Sequence, residues 1–187
     1  MSNTVAYLIR PEFCRYKSEI DNTNVFYSNL AEQLSQQGIG LIDTQRDLST
    51  YIKMARIELE GKERDTMVTG YKRRKYIQLI ESIQDLKLTM MKQANVGLID
   101  CTSITYNMIA ELKDLKALNI PVYAFGMSNG GNETALPSCI VTECEMYVGY
   151  DEFNVLCNGL VNIIEHHTKG TIYKNKESFA EYRKIAL

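Results

Sequence analysis

A carboxylate on the apolar side of an amphipathic helix is the first chemically suggestive feature of this sequence. Met108, Leu112, Leu115 and Leu118 recur at helical spacing and form one stripe, and Glu111 falls inside it, between Leu115 and Leu118. Thr105 and Asn107 are both candidates for the N-cap, and either sets Glu111 in or just past the first turn, where the helix dipole favours an anion. A carboxylate held ionised in that setting is suited to act as a nucleophile rather than as an acid. The alternative is a helix-end carboxylate at the edge of the stripe that reaches water, and the helical wheel leaves both readings open. A second carboxylate, Asp100, closes the short apolar run Val96-Gly97-Leu98-Ile99 just ahead of this helix.

These residues need a scaffold, and the surrounding pattern supplies one. Val96 to Asp100 reads as a buried parallel strand, Tyr106 to Leu118 as a helix, and Val122 to Phe125, opened by Pro121, as a second strand; together they make a βαβ unit. Upstream, Val5 to Ile9 is a first strand that stops at Arg10-Pro11. A helix follows with Phe26, Leu30 and Leu34 four apart, capped by Asp21, Asn22 or Thr23 and ended at Gly38, and Ile39 to Asp43 is a second strand. From Thr44 to Gln93 there is no strand signal. Leu48, Ile52, Ala55 and Leu59 predict one helix up to Gly61, Lys62 to Gly70 a polar linker, and Tyr76, Ile80, Ile83 and Met90 a second, longer helix. An excursion of this size between strands is suited to cover an active site.

After the irregular stretch Gly126 to Pro137, Cys139 to Thr142 and Met146 to Val148 read as short strands. Phe153, Leu156, Leu160, Ile163 and His167 read as a helix up to Gly170, and Lys176 to Ile185 as a last short helix. Alternating strands and helices predict a right-handed, mostly parallel, doubly wound sheet with helices on both faces, for which 2-1-3-4-5 is one of the common orders. The expected organisation is one α/β domain over residues 1–170, with a helical insertion at about 44–93, and a tail at 171–187. In that order a ligand sits where strands one and three diverge, at the ends that carry Ile9 to Phe13 and Asp100 to Glu111.

Composition narrows the function classes. A chain of 187 residues, 45% hydrophobic, is long enough for one well-buried domain, and a net charge of -2 argues against a dedicated nucleic-acid or membrane-surface binder. No apolar run approaches the about 18 residues needed to span a bilayer. The start, MSNTVAYLIR, runs straight into a strand without signal-peptide character, and the 5 cysteines lack any CxxC pair, which points to the reducing cytosol and away from a disulfide framework or a zinc site. Lys72-Arg73-Arg74-Lys75 reads as a solvated helix face. His166 and His167, adjacent and therefore about 100° apart on a helix, are ill-placed to grip one metal and read as structural.

Asp100-Cys101-Thr102, Tyr106-Asn107, Glu111 and Ile120-Pro121-Val122, together with Tyr7-Leu8-Ile9-Arg10-Pro11 on the first strand, resemble the motifs of the nucleoside 2-deoxyribosyltransferase-like superfamily. The resemblance covers residues 5–125 loosely, and it implies a flavodoxin-like α/β domain with strand order 2-1-3-4-5. It implies that Glu111 attacks C1′ of a deoxyribonucleoside, releases the base, and passes the sugar to a second base or to water through a covalent glycosyl intermediate, with no cofactor or metal. It further implies that Tyr7 orients the glutamate and that Asp100 and Asn107 contact the substrate; loop capping by Asp100 and helix capping by Asn107 are the alternatives. Asp85 is a candidate for contacting the leaving base, although about two residues out of register. Partners would be a nucleoside or nucleotide, a free base, and further copies of the chain in a homo-oligomer, with Asn129 or Asn132 donated across subunits.

The sequence also departs from that pattern. Arg10 stands where the family has glycine, and Lys113 and Asp114 where it has small residues. An arginine there either shrinks the pocket or brings a charge to it, and a guanidinium suits a phosphate. Three further outcomes therefore stand beside deoxyribosyl transfer: hydrolysis of nucleoside 5′-monophosphates, a non-catalytic nucleotide sensor on the same fold, and a glutamate-based NAD-cleaving enzyme.

Overall fold

Strands buried along nearly their whole length, as the apolar runs at Val5 to Ile9, Val96 to Asp100 and Val122 to Phe125 are, suit the centre of a parallel sheet covered by helical crossovers on both faces. The computed structural model of the chain, which describes residues 4–11, 17–51, 53–54, 70–127 and 138–168, has that arrangement. The elements run β1 (Thr4–Ile9), α1 (Lys17–Gln36), β2 (Ile39–Asp43), α2 (Thr44–Asp47), α3 (Gly70–Met91), β3 (Val96–Asp100), α4 (Tyr106–Ala117), β4 (Val122–Met127), α5 (Ser138–Glu143), β5 (Met146–Tyr150) and α6 (Phe153–Thr168). The sheet order is β2-β1-β3-β4-β5, as the sequence predicts. The chain divides into two compact units, Met1–Leu41 with Ala94–Leu187, and Ile42–Gln93.

Register sorts the first unit's side chains between two faces. Tyr7 pairs with Gly97, Leu8 with Leu98 and Ile9 with Ile99 across β1 and β3, and Gly97 pairs with Val122 across β3 and β4. Residues in register share a face, so Ala6, Leu8, Val96 and Leu98 line one side with Tyr123 and Phe125. That side packs against Tyr27, Leu30 and Leu34 of α1 and Leu156, Leu160 and Ile164 of α6. The other side belongs to α4, which packs on β1, β3 and β4. Gly97 makes this packing close: a Cβ there would stand 2.7 Å from Leu115 Cδ1 and 2.9 Å from Val122 Cγ2.

The ends of α4 are tightly specified. Thr105 is its N-cap, accepting from the Met108 amide, so of the two candidates the threonine takes the role. At the other end Ile120 N–H donates to Leu115 C=O at 3.0 Å and Asn119 N–H to Lys116 C=O at 2.9 Å, with Asn119 at φ 58°. This is a Schellman cap, and buried Leu115 and Ile120 close its apolar contact.

Two expectations are corrected. Helix α1 begins at Lys17, so Asp21, Asn22 and Thr23 lie within it instead of capping it. No Gly or Pro interrupts residues 17–22, and packing of the later turns on the sheet lets the helix extend through polar residues of middling propensity. Cys139 to Thr142 is helical, inside α5, despite its β-branched residues. Parallel β4 and β5 require a crossover, and only Ile140 of that run is fully buried, a helical pattern and not an alternating one.

In the second unit Asp43 caps α2 through the amides of Gln45 and Arg46. Helical backbone continues at 49–51 and 53–54. Leu48 and Ile83 form a small core joined by Leu79, Ile80, Leu86 and Met90, which confirms the long helix and its register. The rest of the helix expected up to Gly61, the linker, the side chains of Lys72 to Lys75, Cys14, Asn129, Asn132, and the helix expected from Lys176 to Ile185 lie outside the described residues. Among the described residues no helix is long and apolar enough to cross a membrane.

The approach at Gly97 predicts that Gly97→Val costs about 1–3 kcal/mol through overpacking of α4 against β3 and β4. Gly40→Ala, whose new methyl would meet nothing closer than 3.8 Å, should change stability by no more than about 0.5 kcal/mol. Urea unfolding midpoints compare the two; equal midpoints would remove the close-approach argument.

Candidate active site

Tyr7 lies on the α4 face of β1, in register with Gly97, where its whole side chain is buried. Its hydroxyl donates to Glu111 Oε2 at 3.0 Å. Glu111 is half-buried, past the first turn of α4, and thus sits neither in the core nor at a free helix end. The two residues are far apart in sequence, and only the parallel pairing of β1 with β3 and the packing of α4 across both bring them together.

Asp100 faces the other way. It is in register with Leu98 along β3, so its side chain turns to the α1 face, where it is 4% exposed. Its Oδ2 accepts the Tyr27 hydroxyl at 2.5 Å and its Oδ1 accepts the Thr102 amide at 2.8 Å. The second bond is an Asx-type turn, the loop-capping role that stood as the alternative. Arg10, 8% exposed, lies with its guanidinium 4.5 Å from the Tyr27 ring centroid and 3.4 Å from Asn24 Oδ1. Tyr150, the last residue of β5, joins the group through a hydrogen bond with the Thr102 side chain.

The sequence-predicted residues therefore fall into two clusters at one end of the sheet. Tyr7 and Glu111 meet on the α4 face; Arg10 and Asp100 lie on the α1 face, with Tyr27 between them. Asn107 is exposed at the second position of α4, and Asp85 is exposed on α3 in the second unit. Lys113 and Asp114 are exposed, so the bulk they add to the family pattern points to solvent.

Tyr27 is the residue that sequence reasoning missed, and a signal for it exists. It stands three positions before Leu30 and seven before Leu34, on the buried stripe of α1, and a buried tyrosine needs a partner for its hydroxyl. Burial first, then the charge of Asp100 and the hydrogen bond to it, push the Tyr27 hydroxyl far above its ordinary pKa, with Arg10 opposing. Burial and the Asp100 charge push Tyr150 up to about 12, partly offset by Thr102. The Cys101 thiol, beside Asp100, is pushed up by burial and by its neighbours Cys144 and Asp100, so it is no activated nucleophile. The four described cysteines are free, and among the described residues no group of three or more His, Cys, Asp or Glu could hold a metal. His167, at the opposite end of the sheet, has Nδ1 3.3 Å from the Tyr123 hydroxyl, a structural contact.

The fold superposes on the CMP N-glycosidase of Clostridium botulinum with a TM-score of 0.50 at 7% identity, over 86% of this chain and 99% of that one. A 2-deoxyribosyltransferase of Bacillus psychrosaccharolyticus superposes with a TM-score of 0.48 at 15% identity, over 83% and 91%. No protein-family model matches the sequence, and none of the curated proteins matches it. The comparison with the glycosidase establishes a shared five-stranded α/β fold along nearly its whole length.

The buried hydroxyls and thiols give a pH signature. Tyr150 and Cys144 rise from ordinary values of 10.0 and 9.0 to about 12 each, and Tyr27 and Cys101 rise as well. Groups whose folded pKa is raised contribute stability that is complete below the unfolded value and is lost as pH climbs through the folded one. Stability should therefore be level up to about pH 8.5, then fall steadily toward pH 12. Denaturant midpoints across that range test this, and a flat profile to pH 11 would contradict it.

Proposed function

We propose that this protein cleaves the N-glycosidic bond of a nucleoside or nucleotide and transfers the sugar, with Glu111 as nucleophile. The observation that carries the reading is the 3.0 Å hydrogen bond from Tyr7 to Glu111 at the carboxyl end of a parallel sheet, where ligands of such folds bind. Attack by a Glu111 oxygen on C1′ expels the base and forms a glycosyl ester; a second base, or water, then displaces the carboxylate, and two inversions give net retention. The hydroxyl of Tyr7 holds Oε2 and so limits rotation of the carboxylate that attacks. Asn107 contacts the sugar in this reading, and Asp100 organises the turn that precedes α4. The shared fold with a CMP N-glycosidase supports the chemistry.

In the transferase form, 2-deoxyribose moves between nucleobases. A second form, hydrolysis of nucleoside 5′-monophosphates to base and sugar phosphate, is favoured by Arg10, a guanidinium just past the carboxyl end of β1 where the family pattern has glycine.

Incubation with deoxynucleosides and with their monophosphates, each with and without a second free base, separates these forms. Base release should be lost by a factor of more than about 10³ in Glu111→Ala. Tyr7→Phe should lower kcat about 10- to 100-fold through loss of orientation. Undiminished release by Glu111→Ala removes the nucleophile assignment, and hydrolysis confined to monophosphates and lost in Arg10→Ala selects the second form. Thermal stabilisation by nucleotides without any base release would mark a sensor instead.

A further inference from the structure

Two charged side chains are buried in the first unit among the described residues, Arg10 and Asp100, and one tyrosine touches both. Tyr27 gives its hydroxyl to Asp100 at 2.5 Å and its ring face to Arg10 at 4.5 Å. It is 4% exposed and lies on the α1 face, so it meets neither substrate nor Glu111 directly. What it reaches is the turn that crosses from one face of the sheet to the other. Asp100 ends β3, its Oδ1 holds the Thr102 amide, and Thr105 caps the helix that carries Glu111.

We propose that Tyr27 is a positioning residue for Glu111, acting through Asp100 and the Cys101 to Thr105 turn. The role rests on the glycosidic reading above. A carboxylate that accepts from the Thr102 amide with one oxygen can still swing its other oxygen about χ2. The bond from Tyr27 removes that freedom, because it holds the second oxygen from a separate element in a buried setting where a hydrogen bond is strong and directional. Tyr27 is itself held on its ring face by Arg10 and edge-on by Phe26, whose ring centroid is 5.2 Å away at 82°. Tyr150 braces the same turn from β5 through the Thr102 side chain. The start of α4 is thus tied to α1 and β5 on the far face, and the nucleophile's helix inherits its placement from a hydrogen bond on the opposite side of the sheet.

Tyr27→Phe keeps the ring, its packing and its contact with Arg10, and deletes only the hydroxyl. We expect kcat for base release to fall about 10- to 100-fold, with KM within about twofold, because the substrate contacts stay while the attack geometry loosens. Asp100→Asn should give the same kcat-selective loss, and the double variant should be no slower than the slower single one, since both act through one path. Hydrogen exchange at the Thr102 amide, read by NMR, should quicken in Tyr27→Phe. Full kcat in Tyr27→Phe, multiplicative losses in the double variant, or unchanged Thr102 exchange each overturn the proposal. Should Tyr27→Phe not fold, Asp100→Asn decides alone: full kcat there is equally fatal. If the wild-type chain releases no base from any nucleoside or nucleotide, the glycosidic reading falls and takes this role with it, an outcome distinct from an active wild type with an equally active Tyr27→Phe.

Discussion

The approach of α4 to the sheet at Gly97 is the constraint on which the rest depends. With no side chain on that residue, Leu115 and Val122 fill the space where a Cβ would stand, and the helix settles directly on β3. Its stripe of Met108, Leu112 and Leu115 is consequently fully buried. One turn nearer the amino terminus than Leu115, Glu111 is carried to the edge of that contact, over the neighbouring strand, where Tyr7 stands in register with Gly97. A helix lifted by even one methyl group would move the carboxylate relative to the hydroxyl that holds it. Packing and chemistry are in this sense one interaction.

The second organising feature is electrostatic. Taking an arginine and an aspartate out of water costs several kcal/mol each unless their hydrogen-bonding capacity is met inside. Tyr27 contributes to both: a bond to a charged acceptor stabilises by about 1.5–3 kcal/mol, and a desolvated guanidinium over an aromatic face by about 2 kcal/mol. These terms offset the burial only because Thr102, Asn24 and Tyr150 complete the network. A partly satisfied version would be worse than apolar packing, which explains why the cluster sits where three strand ends converge and partners from separate elements are within reach.

The two clusters lie on opposite faces at the same end of the sheet, and the parallel fold makes that arrangement natural. Successive side chains of a strand alternate between the two faces, so neighbouring residues at one strand end are split between them, and a turn leading into a helix can pass from one face to the other. The turn from Asp100 to Thr105 makes that passage. Its amino end is held from the α1 side and its carboxyl end launches the helix on the other. Fold similarity to a glycosidase at 7% identity shows how much of this scaffold survives when almost every residue differs.

Much of this was determined by the sequence alone. Apolar runs and helical spacing were sufficient for the strands from β1 to β4 and for a parallel α/β sheet, because these follow from short-range periodicity and the handedness of βαβ crossovers, whereas the strand order was reached with the family resemblance and the placement of Glu111 stayed open between an inward and a helix-end carboxylate. The pairing of Glu111 with Tyr7 needed the family resemblance as well. Where local propensity met a topological demand, the demand prevailed: Cys139 to Thr142, β-branched and short, is helical because β4 and β5 are parallel. The cap of α1 was misplaced because tertiary packing extends a helix beyond what its own end residues specify. Only the tertiary structure decided that Arg10 and Asp100 belong to one cluster and Glu111 to another, and that Tyr27 joins the first. Which face a residue at a strand end takes, and which distant hydroxyl meets it there, depends on register and helix packing between segments far apart in the chain, and no local pattern records that.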